Sequence, residues 1–348
     1  MPAFARRKFT TLFCACLMAG LNFLSGCSNT PLTDQLLKQP PADLSVRRDL
    51  QSVPFFPQDA YQCGPAALAT LLRHRDIQTE PDKLTDRVYL PARRGSLQVE
   101  MIATARSFGL LTYPLKPDLY QVLKEVDAGN PVLVFQNLSL PFWPQWHYAV
   151  VAGYDLPQRE LILRSGTIAR HRISFRTFER TWQRAGHWAW LLVKPGEVPI
   201  TAEPLIYTRS AHQLDKAGFQ YEALMALRSG ARVWPQASIA LMALGNAEYL
   251  AGNIESANAA FIQEIKQRRD NAAAWNNLAY GLSASQCHHQ ALAAISCALQ
   301  QQPDNENYRR SAREIENLAS KPLNTRSPQS TVLHQCAIPA CPPVDQDN

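Results

Sequence analysis

Residues 53–72 read VPFFPQDAYQCGPAALATLL. Residues 64–74, GPAALATLLRH, are mostly small or apolar up to Leu72, which predicts a short helix beginning beside Cys63. A helix start presents unpaired N–H groups and the positive end of the peptide dipole, so a thiol placed there ionises more easily and an oxyanion can be held. Gly64 lets a substrate backbone come close, and Pro65 suits a first helical turn. Gln58, five residues before the cysteine, brings a side-chain amide that can donate to the same oxyanion. Further on, QWHYAVVAGYD (145–155) sets His147 at the start of a strand-like run. A cysteine at a helix start with a histidine on a strand pairs a nucleophile with the base that takes its proton.

The surrounding pattern is mixed. Helical spacing covers 97–108, 118–128 and 175–185, and strand-like runs cover 131–136, 147–154, 159–164, 168–174 and 187–194. Helices first and clustered strands later predict an α+β domain with an antiparallel sheet over residues 49–196, followed by a linker at 197–204.

The QCGPAAL segment followed by HYAVVAGYD resembles the C39 peptidases and their C39-like relatives, a papain-like family whose best-known members cut leader peptides at the front of transporters. The resemblance implies a papain-like fold, with Cys63 as nucleophile, His147 as general base and Gln58 as oxyanion donor. The family's glutamine stands six residues before the cysteine; here it stands five before, and Gln62 is the weaker candidate. The family also orients its histidine with an aspartate from the next strand. That strand here reads Leu161-Ile162-Leu163-Arg164-Ser165-Gly166, with no carboxylate. Ser165 and Asp155 are the two candidates for a third member. Asp155 shares a face with His147 only at about 26 Å along an extended strand, so it reaches the ring only if the chain bends back, and the hairpin turn at Asp155-Leu156-Pro157 accounts for it better. The missing aspartate keeps a second reading in view, a degenerate peptidase domain that binds peptide as an adaptor. No GxxxxGK[ST] segment accompanies the domain, so a transporter's ATPase is not part of the reading.

Residues 205–318 are rich in Ala and Leu and predict helices. Ala223, Ala257 and Ala291 stand 34 apart, as do Leu227, Phe261 and Ile295. Gly218 and Gly252 keep the interval, and Gln286 breaks their column. This resembles tetratricopeptide repeats, about three units with a capping helix at 306–318, and implies a surface for a protein partner. The tail, 319–348, reads as disordered.

At the other end, Arg6-Arg7-Lys8 precede the uncharged apolar run 9–24, and Leu24-Ser25-Gly26-Cys27 resembles a bacterial lipoprotein cleavage box. This predicts a signal peptide over 1–26, lipidation of Cys27 and a tether over 27–48. With Ser28 rather than Asp after the cysteine, the resemblance points to the outer membrane, facing the periplasm. The membrane is thus one partner, through the lipid; a peptide or protein substrate and a protein bound by the repeats are the others. The 348 residues carry a net charge of +6, three units of which leave with the signal peptide, so no nucleic-acid partner is expected.

Five cysteines remain. Cys287 and Cys297 on one helix stand about 15 Å apart and cannot pair; Cys336 and Cys341 fit a small loop disulfide. His288 and His289 point apart on a helix with no further ligand at fitting spacing, so neither metal nor cofactor is expected. Trp143 and Trp146 flank His147 and suit a substrate cleft or core packing.

Overall fold

The computed structural model describes residues 29–57, 62–93, 95–320 and 336–342. The predicted signal peptide, Cys27 and Gln58 lie outside them.

The α+β part is built on one antiparallel sheet. Its strands are β1 (Arg47–Asp49), β4 (Leu111–Pro114), β5 (Val132–Asn137), β6 (Trp146–Asp155), β7 (Glu160–Ser165), β8 (Ile168–Ser174) and β9 (Ala189–Val193). The order is β4-β9-β5-β6-β7-β8, with β1 also pairing with β6. The short strands β2 (Tyr89–Leu90) and β3 (Gly95–Ser96) form a separate hairpin. Strand β6 is central: eight of its ten residues are buried, which explains its near-continuous apolar run.

Helix α2 (Cys63–His74) packs on β6 with Gly64 to Leu72 all buried. Helices α3 (Pro81–Val88) and α4 (Gln98–Arg106) flank it. Helix α5 (Leu119–Asp127) packs on β6, and α6 (Phe175–Gln183) packs on β5 through buried Phe178 and Trp182.

The segment read as a tether is folded onto this domain. Helix α1 (Pro31–Lys38) buries Thr33 and Leu36. The unpaired N–H groups of Leu32 and Thr33 at its start donate to the buried carboxylate of Glu179 on α6, at 2.9 and 2.7 Å. A helix end capped by another element is fixed in place. The segment read as a linker is also pinned: the Thr201 N–H and hydroxyl both donate to Glu125 of α5, which is fully buried.

Helices α7 (Pro204–Lys216), α9 (Ser238–Leu250), α11 (Ala272–Ala284) and α13 (Glu306–Ala319) begin at 34-residue intervals. So do α8 (Gln220–Val233), α10 (Ile254–Gln267) and α12 (His288–Gln301). The turns repeat as well. Phe219, Asn253 and Cys287 N–H groups donate to Leu214, Glu248 and Leu282 carbonyls. Gly218, Gly252 and Gln286 take φ of 93°, 79° and 61°. The backbone thus keeps its period where the residue column breaks. Gly245 is required by close approach, since a Cβ there would fall 2.4 Å from the Phe261 ring. Helices α7 and α8 share one apolar core with the sheet domain, and α10 to α13 form a second.

The tail corrects two expectations. Residues 336–342 are held against the helices, with Cys336 bonded to Cys287 and Cys341 to Cys297. The cysteine that precedes α12 and the one in its second half thus each find a partner outside the helix, so the tail cysteines do not pair with each other.

Candidate active site

Cys63 opens α2 and is half-buried; among the described residues it is the free cysteine. Its thiol lies against the start of β6. The backbone N–H of Tyr148, with those of Cys63 and Gly64, favours the thiolate, but burial outweighs them and holds the thiol pKa above its ordinary value. Gly64 is needed here for close packing: a Cβ would fall 2.6 Å from the Ser96 Cβ and 3.3 Å from the Met101 Sδ. The Tyr148 hydroxyl donates to the Ser96 carbonyl at 3.2 Å and ties the β2–β3 hairpin to the same point.

His147 is the second residue of β6, opposite Gln136 of β5. Its Nε2 shares a 2.8 Å hydrogen bond with Ser165 Oγ at the end of β7. The register explains the meeting: Arg164 pairs with Val150 in antiparallel, so the next residue of β7 lies toward the start of β6, where His147 stands. Burial, and then the nearby charge of His171, push the imidazole pKa down to about 4. At neutral pH the resting pair is therefore thiol and neutral imidazole. Among the described residues no direct hydrogen bond joins the two, which is common before substrate closes such a site.

Of the two candidates for a third member, the structure joins Ser165 to His147 and leaves Asp155 at the far end of β6. There Asp155 pairs with Arg47 at 3.1 Å and Arg172 at 3.8 Å, and accepts the Gln158 N–H of the hairpin turn. Its carboxylate serves the turn.

Three residues that sequence reasoning passed over support the site. Buried Arg164 donates to the carbonyls of Val53, Leu50 and Ala169 at 3.1, 3.1 and 2.8 Å. It clamps the chain just before the segment that leads to Cys63. Tyr148 touches both the thiol and the hairpin. Buried Asn137 holds the β5–β6 loop, accepting from Ser139 and Gln145 N–H groups at 3.1 and 2.9 Å. The one sequence signal for these was a polar residue at the end of an otherwise apolar strand. Trp143 is 76% and Trp146 51% exposed, so neither is core packing; Trp146 stacks on Phe135 at 5.2 Å.

Residues 50–189, less than half of the chain, match the family described as Peptidase_C39 like family. The matched span contains Cys63, His147 and Ser165. The α+β domain is thus similar to C39-like peptidases. Among solved structures, a protein of Bacillus anthracis assigned as a C39-like peptidase is 19% identical (43% of this chain and 98% of that chain, TM-score 0.36). The peptidase domain of Streptococcus ComA, a bifunctional ABC transporter, is 20% identical (40% and 98%, TM-score 0.33). The first TPR of Spaghetti (RPAP3), bound to an HSP90 peptide, is 16% identical (34% and 94%, TM-score 0.32). No curated protein matches the chain.

Proposed function

We propose that the protein is an envelope-anchored cysteine peptidase of the C39-like type. The observation that carries this reading is the His147–Ser165 hydrogen bond beside a cysteine that opens a helix. With the Nε2 proton donated to Ser165 Oγ, Nδ1 is left as the base. It takes the Cys63 proton as Sγ attacks the peptide carbonyl carbon. The tetrahedral oxyanion is held by the Cys63 N–H at the helix start and by the Gln58 amide. His147 then protonates the leaving amine as the C–N bond breaks, and water releases the acyl group from Cys63. Ser165 fills the place of an orienting aspartate with a neutral acceptor, which fixes the ring but stabilises an imidazolium less.

Three features support the rest of the reading. The LSGC box at 24–27 supports a lipid anchor at Cys27, and with Ser28 an outer-membrane position facing the periplasm. Two disulfides fit an oxidising compartment. The 34-residue period of helix starts and turns supports tetratricopeptide repeats that bind a protein partner or present the substrate.

The test is a diverse peptide library incubated with wild type and Cys63→Ala, with products read by mass spectrometry. Cleavage by wild type alone supports the reading. A second reading, a peptide-binding adaptor, is favoured by the raised thiol pKa and the absent carboxylate. Binding of the same peptides without cleavage by either folded protein selects it.

A further inference from the structure

The loop between β5 and β6 exposes more apolar surface than any requirement of the fold explains. Phe142 is 81% and Trp143 76% exposed, and Leu138, Leu140 and Trp146 are each two-fifths exposed or more. Exposed large apolar side chains gathered on one short loop mark an interaction surface. The loop is also ordered. Asn137 binds it at three points, and the Leu138 N–H donates to the Gln145 carbonyl at 2.9 Å. The rings are presented by a braced loop.

Helix α6 connects this loop to Thr30 and Asp34, in the segment that follows Cys27 in sequence. At its first turn, Arg176 donates to Thr30 Oγ1 at 2.6 Å and pairs with Asp34 at 2.6 Å. At its other end, Arg184 Nε donates to the Asn137 carbonyl, the same residue that braces the loop. Arg176, Arg180 and Arg184 recur every fourth residue and so form one stripe along α6, about 12 Å long. Arg176 is committed to Asp34. Arg180 is exposed, and Arg184 is partly exposed with its Nε bonded to the Asn137 carbonyl. Asn29 follows Cys27 by two residues, a reach of about 7 Å at most.

We propose that α6 and the 138–146 loop form a lipid-facing surface that lays the active-site end of the domain on an anionic bilayer. Phe142 and Trp143 enter the headgroup region, where aromatic rings partition well, and Arg180 and Arg184 meet lipid phosphates. The proposal rests on the lipid-anchored reading for the direction the surface faces. A peptide occupant would account for the rings alone. The arginine row, and the nearness in sequence of Cys27 to its Arg176 end, are accounted for by a membrane. Because Trp146 adjoins His147, the site then opens at the bilayer surface, and its substrates are peptide segments held there.

The test uses the chain from Ser28 onward, which keeps every described residue and carries no lipid, so its outcome is independent of Cys27 acylation. Acylation is read separately from the mass of the membrane-fraction protein. Vesicle flotation compares phosphatidylcholine alone with phosphatidylcholine containing one-third phosphatidylglycerol. Wild type is expected to float with the anionic vesicles at least tenfold better, and to be released by high salt. The double variant F142S/W143S should bind at least tenfold more weakly, and R180Q/R184Q about fivefold more weakly per arginine removed. Quenching of wild-type tryptophan emission by brominated lipid, lost in W143F/W146F, is the second readout. Wild type that stays unbound, or variants that bind as wild type does, overturns the proposal. Variants that raise KM for peptide cleavage without changing flotation assign the loop to the peptide and overturn it as well.

Discussion

Ser165 holds His147 by a 2.8 Å hydrogen bond to Nε2, at the strand position where the family resemblance leads one to expect an aspartate. The geometry of an orienting residue is kept and its charge is absent. Replacing Ser165 by Ala should lower kcat/KM about tenfold, the worth of one hydrogen bond in a reacting site. Ser165→Asp should act in the opposite sense. A carboxylate at this place favours the imidazolium, so it should move the acid limb of the kcat/KM profile to higher pH. An unchanged profile in both variants would show that Ser165 does not position the ring.

The His147 pKa is pushed down to about 4 by burial, against an ordinary value near 6.5. The unfolded chain therefore binds a proton below pH 6.5 that the folded chain refuses until about pH 4. The stability at stake is fully present above pH 6.5 and is lost between pH 6.5 and 4, up to about 3 kcal/mol. Urea unfolding of wild type and His147→Gln at pH 7 and pH 5 checks this. The variant should lose less stability on acidification.

The thiol gives a kinetic counterpart. Burial holds the Cys63 pKa above its ordinary value, so the resting protein should react with iodoacetamide at pH 7 more slowly than a free thiol. Labelling should accelerate when a bound peptide draws His147 onto the sulfur. Rapid labelling of the resting protein, matching an activated thiolate, would contradict the burial argument.

Arg164 carries a buried positive charge satisfied by three carbonyls. Arg164→Met removes the donors and leaves the carbonyls buried, with an expected cost of about 3 kcal/mol or more. Lysine cannot reach three acceptors with a planar fork and should restore only part. Thermal melts of the three proteins order them. Peptide cleavage should fall with the melting temperature, because the clamp sits on the approach to Cys63.

Gln286 is exposed and sits at φ 61°, in the turn where Gly252 and Gly218 stand one and two repeats earlier. Gln286→Gly relieves a left-handed conformation and should stabilise the helical region by about 0.5–1 kcal/mol. Gly252→Gln should destabilise by a similar amount. Equal stability of Gln286→Gly and wild type would remove the argument from backbone strain.

Much of the candidate site was legible because its parts are local. A cysteine before an apolar helix and a histidine before an apolar strand can be read from a few residues each. The 34-residue period could be read from three columns. The elements that went unread are short or depend on distant partners. Strand β4 has four residues. Helix α1 is held by Glu179, about 147 positions away in sequence, and no property of residues 31–38 announces that carboxylate.

The sequence by itself determined the helix and strand pattern, the 34-residue period and the candidates for nucleophile and base, because these follow from hydrophobic periodicity and residue chemistry. Tertiary structure alone decided that Ser165 and not Asp155 meets His147, since a hairpin register brings one beside the ring and carries the other eight residues away. It alone paired Cys336 with Cys287 and Cys341 with Cys297, because a helix separates its own cysteines and a returning chain supplies partners. It also set both titrations, since burial reverses what a helix start and an imidazole would do in water.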